Sequence, residues 1–132
     1  GDTRDLHSFP TRRSSDLTDL FATFAAILGV PIPEGAAEDS FDMLPVLLGD
    51  APGPVREFAF IQGDTRDRVV AVRSGKWKLI ETGDGKGGKS HQLFDLAADP
   101  GENTDIAGRE PGVVVRLAAA LEAARREGRT RP

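Results

Sequence analysis

Cysteine is absent from this sequence of 132 residues, and histidine occurs only at His7 and His91. The sequence therefore supplies no disulfide, no cysteine nucleophile and no zinc site built from cysteine and histidine. No apolar run approaches the roughly 20 residues that a membrane-spanning helix needs. The formal net charge is -4, whereas nucleic acids and anionic membranes bind surfaces on which Lys and Arg cluster. We therefore expect neither nucleic acid nor a membrane as a partner.

The N-terminal segment, residues 1–17, is polar and has no usable hydrophobic period. Its last part, residues 7–17 (HSFPTRRSSDL), resembles the in-frame translation of a common sequencing adapter. We expect residues 1–17 to be a non-native or disordered tail that marks where a longer reading frame was cut, and we exclude them from fold reasoning. What remains is enough for one hydrophobic core but small for a complete enzyme.

The first predicted helix covers residues 18–28. Its apolar side chains recur at the i, i+3, i+4, i+7 spacing of one helix face; they are Phe21, Phe24, Ala25 and Leu28. Thr18 or Asp19 could cap its start, and Gly29 stands where a left-handed C-terminal cap is expected. So many apolar positions need a large partner surface. The rest of the chain offers little of it, so the helix fits packing on an absent domain.

Two further helices are predicted. A short one follows Ser40, with Pro45 in its first turn and Gly49 at its end. A longer one covers residues 111–126 and starts at Pro111, which suits the first helical position. The longer helix has one apolar face, formed by Val114, Leu117, Ala118 and Leu121.

Four short strands are predicted between these helices. Alternating apolar residues indicate strands at residues 57–62, 68–73, 76–81 and 91–96. Ser74-Gly75 is the expected hairpin turn between the second and the third strand. A second turn is expected at Asp99-Pro100-Gly101, with a positive φ at Gly101. The prediction is an α+β fold in which a small antiparallel sheet of about four strands packs against a C-terminal amphipathic helix.

A glycine-rich string between the third and the fourth strand matches a nucleotide-binding pattern. Residues 83–90 (GDGKGGKS) run from Gly83 to Lys89-Ser90 with the spacing of a P-loop. A working P-loop follows a buried parallel strand and opens a helix. The strand before this string has the pattern of a half-exposed antiparallel strand, and the stretch between Ser90 and Pro100 is too short for the usual helix. We favour a solvated hairpin loop and keep nucleotide binding as an alternative.

The remaining candidates for chemistry favour structural roles. His91 has no Ser, Cys or carboxylate at a recognisable catalytic spacing, so an exposed histidine at a strand edge is the better interpretation. Trp77 alternates with apolar neighbours and is expected to anchor the core. Two acidic groups lack the ligand spacing of a calcium loop and suit turns and caps. They are Glu38, Asp39 and Asp42, and Asp64 and Asp67.

Four motifs in order resemble the C-terminal part of type I sulfatases, the formylglycine-dependent, arylsulfatase A-like enzymes of the alkaline-phosphatase-like superfamily. Residues 18–50 hold two of them, a helix that starts at Asp-Leu and ends in Leu-Gly-Val-Pro and, after a linker, an acidic-Ser segment with Leu-Pro-x-Leu-Leu-Gly. Residues 71–80 (AVRSGKWKLI) resemble the Arg-x-Gly-x-Trp-Lys-Leu strand pair of the family. Residues 93–107 (LFDLAADPGENTDIA) resemble its closing motif, with Phe94 for Tyr and Asp105-Ile106 for Asn-Leu.

The resemblance implies a fragment of a bacterial-type arylsulfatase, a hydrolase of sulfate esters, without activity of its own. Residues 18–54 would be the helix and linker that end the α/β catalytic domain, and residues 55–132 the C-terminal subdomain. This subdomain buttresses the catalytic domain and helps to shape the substrate cleft. The loops at residues 62–68 and 82–90 are where selection of the substrate would be placed.

The family's catalytic groups would lie in the missing N-terminal domain. They are a formylglycine made within a Cys/Ser-x-Pro-x-Arg motif and a calcium ion held by Asp and Asn side chains. We do not take Thr11-Arg12 in the tail to supply this motif, and we assign no catalytic, cofactor-binding or metal residue. The implied partners are the missing N-terminal domain and a sulfated small molecule or glycan. We expect the parent enzyme to be periplasmic or secreted.

Two alternatives stay open beside nucleotide binding. The chain could be a free-standing α+β interaction module, which a native start codon shortly before Thr18 would favour. The parent could also be another member of the alkaline-phosphatase-like superfamily, such as a phosphonate monoester hydrolase.

Overall fold

The computed structural model describes residues 17–51, 53–62 and 69–130. The chain divides into two compact units. One consists of Gly1–Arg56 and Arg129–Pro132, and the other of Glu57–Gly128. The predictions for residues 1–16, for Asp64 and Asp67, and for most of the loop at residues 62–68 lie outside the described residues.

The described residues of the first unit form two α-helices. A 3-10 turn at Leu17–Asp19 leads into helix α1, Leu20–Leu28, and helix α2 is Leu44–Leu47. Gly29 ends α1 with φ 63°, and Pro45 lies in the first turn of α2. Both helices were predicted from periodicity and end signals, and both are confirmed.

The face that α1 buries differs from what the apolar period alone would suggest. Ala22 and Thr23 are buried, whereas Phe21 and Phe24 are 57% and 55% exposed. The period therefore marks the outward face within the described residues. The side chains on the inward face are small, and this face is held in place by hydrogen bonds and not by an apolar core.

The second unit, where the structure describes it, is a four-stranded antiparallel sheet with one helix. The strands are β1 Ala59–Gln62, β2 Val69–Ser74, β3 Trp77–Gly83 and β4 Lys89–Asp95, and their order in the sheet is β1-β2-β3-β4. Helix α3, Pro111–Glu127, follows. This confirms the predicted α+β class. In the register Ser74 pairs with Trp77, so the turn residues are Gly75 and Lys76 rather than Ser74 and Gly75.

The core lies between this sheet and α3. Phe60, Val72, Leu79 and Leu93 pair successively across the four strands and form one apolar row. Three residues of this row, Val72, Leu79 and Leu93, form a buried cluster together with Leu117 and Leu121 of α3. The half-buried Trp77 packs against it, as expected for a core anchor. The described helices include none that is long and apolar enough to cross a bilayer.

The turn at residues 99–101 differs from the prediction in one detail. The residue with a positive φ is Glu102, at 55°, and not Gly101. Glu102 is held there by an ion pair in which Lys78 Nζ lies 2.6 Å from its Oε1. A positive φ is unfavourable for a residue with a side chain, and this pair is a contact that local sequence does not show.

Candidate functional site

The first two motifs meet inside the first unit through buried polar side chains. Ser40 Oγ accepts a hydrogen bond from the Ala22 N–H at 2.9 Å, so a residue distant in sequence caps the first turn of α1. Thr23 Oγ1 accepts one from the Met43 N–H at 3.0 Å and donates to the Asp19 carbonyl at 2.7 Å. These bonds hold the 40–43 segment on the polar face of α1. No pattern in the sequence marks Thr23 as a structural residue.

Asp19 completes this arrangement. Its side chain is 1% exposed and accepts a hydrogen bond from the Phe41 N–H at 3.1 Å and one from the Arg56 guanidinium. That guanidinium lies 4.6 Å from the centre of the Phe41 ring. Asp19 stands at the N-cap position of α1, one of the two residues predicted there, but its carboxylate makes no capping hydrogen bond and binds Phe41 and Arg56 instead.

The acidic group of the first unit serves turns and chain contacts. Asp42 Oδ1 accepts the Leu44 N–H at 2.8 Å, which is the expected role at the start of α2. Asp39 Oδ1 accepts the N–H and the hydroxyl of Thr130, each at 2.9 Å. Among the residues that the structure describes, no three His, Cys, Asp or Glu side chains are grouped closely enough to hold a metal ion.

The third and the fourth motif meet inside the second unit. Lys76 Nζ lies 2.6 Å from Asp95 Oδ2, and the Leu96 N–H donates to the Lys76 carbonyl at 2.8 Å. Asp99 Oδ2 accepts the N–H groups of Asn103 and Thr104, each at 2.8 Å. These hydrogen bonds hold the pKa of the Asp99 carboxyl below its usual value, and the bond from the Thr104 N–H has the largest effect. The acidic residues of the closing motif therefore satisfy backbone N–H groups and stabilise turns.

Asp105 joins the closing motif to the edge of the sheet. Its Oδ1 accepts the N–H of the buried Leu93 at 3.0 Å and the N–H of Ala107 at 2.9 Å. The next residue, Ile106, donates its N–H to the Leu93 carbonyl at 2.9 Å. The pair Asp105-Ile106 thus covers part of the exposed edge of β4.

This geometry predicts different effects for two substitutions at Asp105. Asp105→Ala should lower the free energy of unfolding of the second unit by about 1–2 kcal/mol, because a buried backbone donor loses its acceptor. Asp105→Asn should cost clearly less, since the amide keeps a carbonyl oxygen at the same place. Urea unfolding followed by the fluorescence of Trp77, the single tryptophan, measures both. Equal losses for the two variants would show that the carbonyl acceptor is not what matters.

The glycine-rich string forms the hairpin loop between β3 and β4. The Asp84 N–H donates to the Gly88 carbonyl at 3.0 Å, and Asp84 Oδ1 accepts the N–H groups of Lys86 and Gly88, each at 2.8 Å. Gly85 and Gly87 have φ values of 77° and 95°, which favour glycine. The carboxylate of Asp84 thus occupies the N–H groups that a phosphate would need.

The neighbours of the loop also differ from those of a P-loop. Gly83 belongs to β3, while Lys89 and Ser90 belong to the antiparallel β4, so the loop leads into a strand and not into a helix. The Lys89 ammonium binds Glu122 and lies 3.6 Å from Glu81 Oε1. The favoured hairpin interpretation is therefore confirmed, and the geometry does not support nucleotide binding.

A cluster of charged groups joins this hairpin to the end of α3. Its centre is Glu81, whose side chain is 4% exposed. Arg125 Nη2 lies 2.7 Å from Glu81 Oε1, and His91 Nε2 lies 3.0 Å from Glu81 Oε2. Glu122 binds Lys89, and its Oε1 accepts a hydrogen bond from Arg125 Nη1 at 2.6 Å. His91 is at a strand edge as predicted, but it is half-buried and has a carboxylate partner from the neighbouring strand.

These contacts set the protonation of the cluster. Burial raises the pKa of the Glu81 carboxyl, but hydrogen bonds with Arg125 and His91 and the charges of Arg125 and Lys89 outweigh it. The pKa of Glu81 therefore lies below its usual value of 4.5. Hydrogen bonds from Lys89 and then Arg125 likewise lower the pKa of Glu122. Both carboxylates are ionised at neutral pH.

The lowered pKa of Glu81 predicts loss of stability in acid. Because the pKa is lower in the folded than in the unfolded chain, its contribution is complete above about pH 4.5 and is lost as the pH falls through the folded value. Urea midpoints measured from about pH 5 to about pH 3 should therefore decrease. Glu81→Gln should make this decrease shallower. An unchanged pH dependence in that variant would exclude Glu81 as its source.

Comparison with known proteins shows which proteins this chain resembles. No protein-family model matches the chain. Over 115 residues it is 36% identical to the N-acetylgalactosamine-6-O-sulfatase of Bacteroides thetaiotaomicron, covering 79% of this chain and 22% of that protein. It is 30% identical over 132 residues to arylsulfatase A of Homo sapiens, covering 85% of this chain and 26% of that protein. The chain matches the C-terminal part of these sulfatases.

Solved structures agree with the sulfatase assignment. A structure from work on the metabolism of multiple glycosaminoglycans by Bacteroides thetaiotaomicron superimposes with a TM-score of 0.67 at 36% identity, covering 80% of this chain and 24% of that one. The phosphonate monoester hydrolase of Agrobacterium radiobacter gives a TM-score of 0.59 at 23% identity, covering 83% and 24%. The second match shows the fold alone. The chain spans about a quarter of the length of the sulfatases that it matches.

The residues that match the sulfatase motifs hold the fold together. Asp19 and Ser40 link the first two motifs, and Asp95, Asp99 and Asp105 organise the closing one. None of them belongs to a group of three acidic or histidine side chains that could hold a metal among the described residues. The hydrogen bonds of these motif residues therefore stabilise the fold of each unit.

One pattern in the sequence needs a correction. Ser8, Pro10 and Arg12 have the spacing of the sulfatase Cys/Ser-x-Pro-x-Arg motif, so the tail does contain this pattern, contrary to the prediction made from Thr11-Arg12. They lie in the adapter-like segment and outside the described residues. A pattern of three positions in such a segment is weak, so no catalytic role is assigned to Ser8.

Proposed function

We propose that this chain is the C-terminal subdomain, with the helix and linker before it, of an enzyme that hydrolyses sulfate esters. Its task is to support the catalytic domain and to shape one side of the substrate cleft. The observation that carries the proposal is the 36% identity to a sulfatase across 115 residues together with the shared sheet-and-helix fold. The catalytic domain, its formylglycine and its calcium ion would belong to the preceding part of the polypeptide.

A sulfated glycan is the proposed substrate class. One relative is named for N-acetylgalactosamine 6-O-sulfate, and the similar solved structure comes from work on glycosaminoglycans. The hairpin at residues 84–88 fits a role at the cleft, since Asp84 gives a protruding loop a defined shape. A periplasmic or secreted location of the parent enzyme stays a prediction.

The first test is the nucleotide sequence that spans and precedes the codons for residues 7–17, determined by long reads from the source DNA. We expect the adapter-like codons to vanish and a longer frame to encode a Cys/Ser-x-Pro-x-Arg motif and calcium ligands. A native start codon shortly before Thr18 would instead overturn the proposal and favour a free-standing interaction module.

The second test uses the longer protein. It should release sulfate from a 6-O-sulfated N-acetylgalactosamine substrate. A phosphonate monoester serves as the matched substrate for the rival activity, whose fold is also similar. Hydrolysis of the phosphonate monoester alone would assign the parent to that rival class.

A further inference from the structure

The most unusual surface of the described chain is the outward face of α1. We call it the α1 apolar surface. It consists of Leu20 (43% exposed), Phe21 (57%), Phe24 (55%), Ile27 (55%) and Leu28 (74%). At 100° per residue these five side chains lie on one side of the helix, opposite Ala22 and Ala26. Two adjacent aromatic rings and three aliphatic side chains therefore face outward on a helix of nine residues.

The inward face of α1 does not explain why the helix is apolar. The buried residues of the first unit, among those described, include only two apolar ones, Ala22 and Met43. The others are Asp19, Thr23 and Ser40, which are joined by hydrogen bonds. A helix at the surface of a monomer normally shows the reverse arrangement. The α1 apolar surface therefore requires a cover.

The neighbouring sequence describes the chemistry of that cover. No charged residue occurs from Leu20 to Pro33, so the helix offers no ion pair to a partner. Phe21 and Phe24 have the size and rigidity of the aromatic residues that anchor interfaces. The occupant must present an apolar surface of its own, as the interior of a domain does.

We infer that the occupant is the preceding part of the same sulfatase polypeptide, an inference that rests on the proposed function. The matched relatives are about four times as long as the part that this chain covers, and it covers their C-terminal part. The helix at the start of the matched region is thus the first element after the remaining three quarters of the enzyme. The α1 apolar surface then belongs to the core of the catalytic domain.

The second unit has no such requirement. Its core cluster is complete among its own strands and α3, with Val72, Leu79, Leu93 and Leu117 at 0% exposure. It should keep its fold when the α1 apolar surface is uncovered. Docking is therefore expected to depend on α1 and not on the stability of the sheet.

The test co-expresses this chain with the Bacteroides thetaiotaomicron relative from which the matched C-terminal region has been removed. We compare the original chain with Phe24→Asp, Phe24→Leu and Val115→Asp. Val115 is the matched control because it is an apolar residue, 70% exposed, on a helix of the other unit. Trp77 fluorescence checks that the second unit is folded in every variant.

The original chain, Phe24→Leu and Val115→Asp should co-purify with the truncated relative in equal amounts. Phe24→Asp should reduce its recovery by about tenfold or more, as loss of a central aromatic anchor does. Equal recovery of Phe24→Asp would overturn the docking surface and leave the proposed function standing. Failure of the original chain to co-purify would overturn the inferred occupant, and together with an upstream frame that lacks a sulfatase domain it would also overturn the proposed function.

Light scattering of the chain alone distinguishes a second copy as the occupant. We expect exposure of the α1 apolar surface to appear as binding of a hydrophobic dye that Phe24→Asp diminishes. A defined dimer that Phe24→Asp converts to a monomer, without co-purification of the relative, would show that a second copy covers this surface and would overturn the inference.

Discussion

Leu79→Ala should lower the free energy of unfolding of the second unit by about 3 kcal/mol. Leu79 is 0% exposed and pairs with Val72 on one side and Leu93 on the other. Alanine would remove a branched side chain at the centre of this row and leave a cavity in the buried cluster that Leu79 forms with Leu117 and Leu121. Urea unfolding followed by Trp77 fluorescence measures the loss.

Two further variants make this prediction decisive. Leu79→Met keeps the volume and should cost less than about 1.5 kcal/mol, so it gives a value even if the alanine variant is unfolded in buffer. Val115→Ala shortens an exposed side chain of α3 and should change stability by less than about 0.5 kcal/mol. Similar losses for Leu79→Ala and Val115→Ala would contradict the position of Leu79 at the centre of the core.

Glu81→Lys should be as damaging, for an electrostatic reason. The substitution would place an ammonium group at a buried position beside Arg125, Lys89 and His91, where the carboxylate now binds all three. An uncompensated buried charge costs on the order of 3 kcal/mol or more. We expect loss of the cooperative unfolding transition or a strongly lowered urea midpoint.

The matched control is Glu122→Lys. Glu122 binds the same Lys89 and Arg125, but its side chain is 54% exposed. Water can solvate a lysine at this position, so the loss should be a small fraction of that for Glu81→Lys. Glu81→Gln should lie between the two, because the amide keeps the shape and one acceptor. If the two lysine variants lost the same stability, the burial of Glu81 would not be the cause.

The sequence carried most of the fold because its elements are short and strongly marked. Helix α3 begins at Pro111 and helix α1 ends at Gly29, and the backbone preferences of these two residues are local. The strand pattern predicted the sheet, and the ordered motifs predicted the family. The small errors occur where a turn was placed one residue early, at Ser74, and where Glu102 rather than Gly101 takes the positive φ.

The side-chain contacts were much harder to predict. Glu81 and His91 are ten residues apart and form a pair only because β3 and β4 align them opposite each other. Arg125 reaches Glu81 across 44 residues of sequence. Neither spacing is a recognisable sequence pattern. The first depends on the register of the sheet, and the second depends on the position at which the helix crosses the sheet.

By itself, the sequence determined the α+β class, the order of the elements, and the relation to sulfatases, because periodicity, turn residues and motif order are all local or linear properties. Only the tertiary structure decided which face of α1 is buried and what the motif residues do. Phe24 and Thr23 are adjacent in the chain, yet Phe24 faces outward and Thr23 is buried. The physical reason is that the hydroxyl groups of Thr23 and Ser40 accept backbone hydrogen bonds that hold the segment after the linker on the polar side of the helix, and a pattern of hydrophobicity contains no information on such partners.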